Sequence, residues 1–337
     1  MTDLLAVPAP RRAAALAVWN ELAGAGTVAL STHVGADGDG CGSQAALVRI
    51  LAQRGIAAHI VNPTPWPSMY NFLLGDDVKN RSREGPAALK GVDRTIVLDI
   101  SDVGRLGVLA DAFRAQTVRS LVIDHHLAGN EPPGEIMLSD VTACATGELV
   151  YDFAVTIGAT ITPAIATSLY AAILTDTGSF RYSNTSPRCH ALAAVLLSAG
   201  VDPEAMYRDI YASYPIGRLY LIRDALATLD VDAAAGLAWI DIAAGAADRY
   251  SVTTEDLDGV AEYPRSIAGT RVAILFRDLG HGKVKVSFRS TGNADVNALA
   301  RRFGGGGHTK ASGALIPGTL DTVRSAVLAA AREMLGA

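Results

Sequence analysis

Four apolar runs of strand length alternate with helical segments in the first half of the chain. The runs are rich in Val, Ile and Leu, and each is long enough to be a buried strand. Runs of this kind, separated by helices, are typical of a parallel sheet covered on both faces. The pattern predicts strands at Thr27–His33, Ala57–Asn62, Thr95–Ile100 and Leu121–His126, with helices at Ser43–Arg54 and Arg105–Ala115.

The second half of the chain has a different pattern. It is helical from about residue 143 to residue 235, and strand signals return after that. The predicted elements are strands at Gly236–Ile242, Thr270–Leu279, Gly282–Ser290 and Gly313–Ile316, with helices at Asp295–Phe303 and Leu320–Leu335.

A length of 337 residues is more than one hydrophobic core usually serves. The pattern therefore predicts an α/β protein with an N-terminal parallel-sheet domain over residues 1–212. A helical connecting region over 213–235 and a smaller C-terminal α/β domain over 236–337 would follow.

Composition narrows the class of protein. Half of the residues are hydrophobic and 19% are charged, so the chain can bury large cores and is not disordered in general. A net charge of −5 is unsuited to binding long duplex nucleic acid.

Three scattered cysteines form neither a disulfide framework nor a CxxC metal site, which favours a reducing cytoplasm. No apolar stretch reaches the roughly 20 residues of a membrane span, so we expect no membrane association.

Side chains that bind metals stand at the ends of three predicted strands. In an open parallel sheet, ligands bind outside the carboxyl ends of the strands, so these side chains should converge. A fourth position, Asp176, follows an apolar helix and opens the loop DTGSFRYSNT. The strand-end residues are His33, Asp37 and Asp39, then Asp99, and finally Asp124, His125 and His126.

So many buried carboxylates conflict with one another unless cations are present. Without cations, burial would cost several kcal/mol for each carboxylate, and two divalent ions would relieve that cost. Mixed His and Asp ligands without Cys suit Mn²⁺, Fe²⁺, Co²⁺ or Zn²⁺ better than Ca²⁺, and the many oxygen ligands favour Mn²⁺. The DGDG segment taken alone indicates only a turn, because Asp and Gly favour turns. The three strand ends together indicate a metal site.

Five motifs, in order, resemble those of a known superfamily. HVGADGD, LDISD, IDHH and LTDTGSFRYSNT resemble the four motifs of the DHH phosphoesterases, and FGGGGHTKASGA resembles the signature of their associated C-terminal domain. The two-domain layout is similar to the NrnA-like nano-RNase and pAp phosphatase group, some of whose members act on cyclic and linear dinucleotides. RecJ exonucleases share the motifs but are usually longer and carry an OB-fold. The resemblance implies an active-site cleft between the two domains.

The resemblance also implies roles for individual residues. One Mn²⁺ would be held by His33, Asp37 and Asp99, and a second by Asp39, Asp99, His125 and Asp176, with Asp99 bridging. His126 would lie beside the scissile phosphate, and Asp124 would orient the ligands around it. The substrate would be bound in the second domain by Arg289, Ser287, Gly305, Gly306, Gly307 and His308.

Physical chemistry supports two of these binding roles while leaving simpler ones open. The planar fork of Arg289 suits bidentate contact with a phosphate, although an exposed strand arginine is usually just solvated. The glycine run from 304 to 307 allows backbone N–H groups to approach a ligand, although it could equally be a flexible turn.

The sequence thus predicts a Mn²⁺-dependent phosphoesterase of short nucleotides. Expected substrates are very short oligoribonucleotides, 3′-phosphoadenosine 5′-phosphate (pAp), and cyclic di-AMP or its linear product pApA. A RecJ-like exonuclease on single-stranded DNA and a nucleotide sensor without hydrolysis are the alternatives. The resemblance also implies a homodimer.

Overall fold

The computed structural model describes residues 4–257, 259–307 and 309–336. The chain forms two compact units, divided between Ser213 and Tyr214. His308, a predicted substrate-binding residue, lies outside the described residues. No helix in the described ranges is both long and apolar enough to cross a membrane.

The first unit is built on a parallel sheet of six strands within the described residues, in the order β3-β2-β1-β4-β5-β6. The strands are β1 (Thr27–Ser31), β2 (Ala57–Ile60), β3 (Lys79–Asn80), β4 (Arg94–Leu98), β5 (Ser120–Asp124) and β6 (Ile136–Ser139). The helices are α1 (Ala9–Leu22), α2 (Gly38–Ala52), α3 (Ala110–Ala115), α4 (Thr146–Thr156), α5 (Pro163–Asp176), α6 (Pro187–Ser198) and α7 (Pro203–Tyr211).

Alternate residues of the central strands face two separate cores. Val28 and Leu30 of β1 pack in the larger core with α1, α2, α4 and α5, whereas Ala29 faces the smaller core, to which α3 contributes Phe113. Both faces of the sheet are therefore covered, as the continuous apolar runs predict.

The order of the strands reverses between β1 and β4. The chain adds β2 and β3 on one side of β1 and then returns to add β4, β5 and β6 on the other side. In doubly wound sheets, ligands bind at the carboxyl ends of the strands at such a switch point. The topology therefore places a crevice between the ends of β1 and β4.

Two predicted helices of the first unit differ from the observed ones. Helix α2 begins at Gly38 and not at Ser43, because the Asp37 side chain accepts hydrogen bonds from the first free N–H groups of the helix. The helix predicted from residue 105 to 115 is a 3-10 helix (Val103–Leu109) followed by α3, because Gly107 adopts a positive φ of 50°. The hydrophobic pattern does not predict strands β3 and β6.

The second unit contains a mixed sheet in the order β11-β12-β10-β9-β8-β7. Only β8 and β9 run parallel among its described pairs. The strands are β7 (Asp230–Asp232), β8 (Leu237–Ile242), β9 (Val272–Asp278), β10 (Lys283–Ser290), β11 (Gly306–Gly307) and β12 (Ala311–Pro317). The helices are α8 (Ile216–Leu226), α9 (Ala246–Tyr250), α10 (Glu262–Arg265), α11 (Val296–Arg301) and α12 (Leu320–Leu335).

Helices cover the two faces of this second sheet to different extents. Residues such as Phe288 of β10 pack against α11 and α12 on one face. On the other face, α8 and its neighbours cover Ile240 of β8 and Leu275 of β9. Helix α8 lies in the segment 213–235, for which a connecting role is predicted, and its Leu221 and Ile222 belong to this second-unit core. Ser287 and Arg289, which alternate with Phe288 along β10, lie on the α8 side of the sheet.

Candidate metal centre

The predicted metal-binding residues of the first unit meet at the switch point. His33 follows β1, Asp37 and Asp39 lie at the start of α2, and Asp99 directly follows β4. Asp124 is the last residue of β5, and His125 and His126 come after it. Asp176 is the last residue of α5. All of these side chains lie at the carboxyl edge of the sheet.

Two sets of ligand atoms form around Asp99. In the first, His33 Nε2 lies 3.3 Å from Asp99 Oδ2 and 3.7 Å from Asp37 Oδ2. In the second, His125 Nε2 lies 3.6 Å from Asp99 Oδ1, 3.6 Å from Asp176 Oδ2 and 3.7 Å from Asp39 Oδ2. The two oxygens of Asp99 thus face different sets, which is the arrangement that a bridging carboxylate needs.

His33 and His125 each direct a ring nitrogen without a hydrogen-bond partner among the described residues towards one of these sets. The Nδ1 atoms of His33 and His125 lie 3.1 Å and 3.2 Å from the carbonyl oxygens of Val34 and Ala143. A carbonyl only accepts hydrogen bonds, so Nδ1 carries the proton and a neutral ring keeps its lone pair on Nε2. Both Nε2 atoms are buried and have no hydrogen-bond partner among the described residues. This donor set fits divalent metal ions.

Asp99 adopts an unusual backbone conformation. Its φ is 64°, in the left-handed region that residues other than glycine rarely occupy. Its side chain is almost fully buried and accepts a hydrogen bond of 3.0 Å from Thr146 Oγ1. Strain of this kind persists at functional sites where the surroundings fix the residue. Here it turns the carboxylate towards both histidines.

Asp39 is held by the amino end of α4. Its oxygens accept hydrogen bonds from the backbone N–H groups of Thr146, at 2.6 Å, and Gly147, at 2.9 Å, and from Ser43 Oγ, at 3.0 Å. A helix N-terminus stabilises a carboxylate through its free N–H groups and its dipole. These supporting residues carry no signal in the sequence, because they lie outside the strand ends at which the metal-binding side chains stand.

The carboxylates repel one another strongly. Burial raises the pKa of Asp39 well above its ordinary value, and the charges of Asp99 and Asp176 add to that rise. Burial also raises the pKa of Asp176 to about 7; His125 opposes this rise and Asp99 adds to it. For Asp99, burial again favours the neutral form, but the contact with His33 outweighs it and lowers the pKa.

The same contact raises the pKa of His33. Burial opposes its protonation, but Asp37 and Asp99 outweigh burial and raise the pKa to about 10. A proton on His33 therefore compensates part of the negative charge when no cation is bound. Divalent cations would neutralise the charge more fully.

His126 is oriented by Asp124. The His126 Nδ1 atom lies 2.8 Å from Asp124 Oδ1, and Asp124 is completely buried. Burial opposes protonation of His126, but this hydrogen bond and the charge of Asp99 raise its pKa. Asn184, in the quoted loop motif, donates to Asp176 Oδ2 at 3.2 Å and to the Cys144 carbonyl at 2.8 Å. Asn184 thus holds the Asp176 carboxylate in place, a role that the sequence pattern does not predict.

In the second unit, Arg289 is already paired. Its Nε lies 3.2 Å from Glu262 Oε1, and its Nη1 donates to the Phe288 carbonyl at 3.0 Å. Ser287 lies on the same face of β10. Both side chains are half-buried.

The glycine run forms regular structure. Gly306 and Gly307 make up β11, which pairs with β12, and the N–H of Gly305 donates to the Ala300 carbonyl. A side chain at Gly305 would collide with the Gly313 carbonyl, because a Cβ atom there would lie 2.2 Å from that oxygen. Glycine is thus required for close packing at Gly305, whereas Gly306 and Gly307 remain exposed at the edge of the sheet.

Comparison with known proteins agrees with this architecture. Residues 27–173 match the DHH family N-terminal domain, and residues 241–336 match the DHHA1 domain. A relative from Thermus thermophilus, the bifunctional oligoribonuclease and PAP phosphatase NrnA, is 33% identical over 92% of this chain and 90% of its own length.

Solved structures share the fold. An exopolyphosphatase-related protein from Bacteroides fragilis superimposes with a TM-score of 0.88 and 25% identity, over 97% of this chain and 98% of that one. RecJ from Thermus thermophilus in complex with Mn²⁺ has a TM-score of 0.58 and 15% identity, over 98% of this chain and 56% of that one. The two domain matches and the NrnA relative show that the chain belongs to the DHH family and is a phosphoesterase of that family.

Proposed function

We propose that this enzyme hydrolyses short nucleotides with two Mn²⁺ ions bound in the first unit. The substrates would be very short oligoribonucleotides, pAp, and cyclic di-AMP or pApA. The observation that carries the proposal is the placement of Asp99, whose two oxygens face two separate sets of metal-binding atoms. The NrnA relative, described as an oligoribonuclease and PAP phosphatase, supports oligoribonucleotides and pAp among these substrates.

The first unit would supply the metal ligands. His33, Asp37 and Asp99 would hold one ion, and Asp39, His125 and Asp176 would hold the other together with Asp99. Bound metal ions of this kind activate water as a nucleophile near neutral pH and neutralise charge on phosphoryl oxygens. The chain itself fixes the ligands through the carbonyls behind each histidine and through the N-terminus of α4.

His126 would act on the substrate phosphate. Asp124 holds the His126 ring by Nδ1 and favours its charged form. A charged imidazole can donate a hydrogen bond to a phosphoryl oxygen or a proton to the leaving oxygen. The buried carboxylate of Asp124 would fix the angle of the ring, as such partners do beside other metal centres.

The second unit would bind a part of the substrate that does not react. The guanidinium of Arg289 has its Nε occupied by Glu262, so a phosphate would approach along the Nη edge. The substrate would also contact Ser287, Gly305, His308 and the exposed backbone of Gly306 and Gly307. We also propose that the enzyme is a cytoplasmic homodimer.

The test is a comparison of initial rates on pAp, a diribonucleotide, cyclic di-AMP, pApA and a long single-stranded DNA. The protein is stripped of metal with a chelator and assayed before and after Mn²⁺ is added back. We expect hydrolysis of the short compounds only with Mn²⁺, and rates that fall steeply as the strand lengthens.

Other outcomes would favour the alternatives. Undiminished degradation of the long strand would support a RecJ-like exonuclease, and tight binding of nucleotides without turnover at any metal concentration would support a sensor. Full activity in the presence of the chelator would contradict the metal mechanism.

A further inference from the structure

A cavity of about 360 Å³ lies in the second unit beside α10. Its volume is within the range of roughly 300–1,000 Å³ that small-molecule sites occupy. It is lined by Arg218, Gly259, Glu262, Tyr263 and Ser266. An aromatic ring, a carboxylate, a hydroxyl and a guanidinium thus face one space.

The arginine of this cavity is held in place. Arg218 is only 8% exposed, its Nε donates to the Asp256 carbonyl at 2.6 Å, and its guanidinium lies 3.7 Å from the centre of the Tyr214 ring. Tyr263, in contrast, is 40% exposed. An exposed aromatic beside a fixed polar group is the composition of a site that binds a planar, polar ligand.

Glu262 connects the cavity to Arg289. It lines the cavity, its Oε1 lies 3.2 Å from Arg289 Nε, and its Oε2 accepts from Arg265 Nε at 2.6 Å. A phosphate bound along the Nη edge of Arg289 would therefore lie next to the cavity.

We propose that this cavity binds the nucleobase and ribose attached to the phosphate that Arg289 holds, an inference that rests on the proposed function. The ring of Tyr263 stacks on the base. Glu262 accepts a hydrogen bond from a ribose hydroxyl or an exocyclic amine. The hydroxyl of Ser266, which donates to the Tyr263 carbonyl, keeps lone pairs with which it accepts another.

The ring face and the hydrogen-bond acceptors of this cavity suit a nucleoside better than a second phosphate. Hydroxyl and amino groups of a nucleoside donate to the Glu262 carboxylate, whereas an ionised phosphate offers it only further acceptors. A chain of phosphates without bases would gain the contact with Arg289 but nothing from Tyr263. The cavity thus supplies a reason to prefer nucleotides to other phosphoesters.

The experiment compares two substrates that differ only at the base. Values of kcat/KM are measured for pAp and for 1-O-methylribose 3,5-bisphosphate, which lacks the base. We expect the parent enzyme to prefer pAp by about ten- to a hundredfold, the range that one base–aromatic stack provides. Tyr263→Ala should remove most of that preference, and Tyr263→Phe should keep it.

Tyr220→Ala is the matched control, because Tyr220 is an exposed tyrosine of the same unit that packs against Tyr250 and does not line the cavity. It should keep the parent preference. If Tyr263→Ala fails to fold, Tyr263→Leu, which fills space without a π face, applies the same test. An equal preference in the Tyr263 variants and the parent would overturn the inference alone. Failure of the parent to hydrolyse either compound would overturn the proposed function as well.

Discussion

The two units use charged residues in opposite ways. In the first, carboxylates crowd together in the interior: Asp39 and Asp99 are 1% and 2% exposed, and both accept hydrogen bonds from Thr146 at the N-terminus of α4. In the second, the arginine expected to bind substrate keeps 29% of its side chain exposed and shares one carboxylate with a neighbouring arginine. Preorganised charge suits chemistry on one type of bond. A half-open ion pair suits recognition of substrates that differ in size.

The largest expected effect comes from Asp99→Asn. The asparagine amide has only one oxygen, whereas the two sets of metal-binding atoms need one oxygen each. Hydrolysis of every phosphoester should therefore fall by more than about a hundredfold, which is more than the loss of a residue that merely supports a metal ligand would cause. Steady-state rates on pAp and on a small activated phosphodiester measure this. Asp111→Asn, at an almost fully exposed position of the same unit, is the control and should act like the parent. If Asp99→Asn keeps more than about one hundredth of the activity, Asp99 does not bridge.

A smaller effect is expected when the support of Asp99 is removed. Thr146→Val keeps the shape of the side chain and the backbone N–H that binds Asp39, but it loses the hydrogen bond to Asp99. We expect Mn²⁺ to bind about ten- to a hundredfold more weakly, as measured by isothermal titration. Thr156→Val, which makes the same change in the last turn of α4, should bind Mn²⁺ like the parent. Unchanged affinity in Thr146→Val would show that Asp99 needs no such support.

The pH dependence of metal binding tests how strongly the carboxylates of the first unit repel one another. Burial raises the pKa of Asp176 to about 7, so in the metal-free enzyme this carboxyl binds a proton below that pH. Metal ions bind the deprotonated form, so Mn²⁺ affinity should rise as the pH increases from about 6 to about 8, by up to about tenfold per pH unit for each proton displaced. His33, with a pKa raised to about 10, acts in the same direction. Asp176→Asn should show a flatter dependence, and an affinity that falls with increasing pH would contradict the charge balance.

The sequence allows prediction of the first unit because its chemistry is local to strand ends. Val28 and Leu30 mark β1 as buried, and His33 must then emerge at the edge of the sheet where Asp99 also emerges. Parallel strands bring these ends together without further information. The short strand β3, with only exposed residues, carries no hydrophobic signal and escapes the same reasoning.

Supporting contacts could not be predicted, since they join residues far apart in the chain. Thr146 lies 107 positions from Asp39, and Glu262 lies 27 positions from Arg289. No periodicity relates such pairs, because only the packing of α4 and α10 brings them together. The positive φ of Asp99 likewise depends on its surroundings, although Asp tolerates this conformation better than most residues do.

The most direct test of whether the first unit supplies the chemistry and the second unit supplies binding compares Arg289→Ala with Asp176→Asn on two substrates. For Arg289→Ala, kcat/KM on pAp should fall about ten- to a hundredfold, because a charge-assisted bidentate contact contributes about 1.5–3 kcal/mol. Its hydrolysis of bis(4-nitrophenyl) phosphate, which carries no second phosphate for Arg289 to hold, should stay within about twofold of the parent.

One control variant and the expected result for Asp176→Asn complete this measurement. Arg332→Ala is the control: it breaks a comparable ion pair between Arg332 of α12 and Asp232 of β7, and it should act like the parent on both substrates. Asp176→Asn should impair both substrates alike, since it removes a proposed metal ligand. We expect that only Arg289→Ala separates the two substrates. An equal loss on both by Arg289→Ala would show that Arg289 does not act by binding a remote part of the substrate.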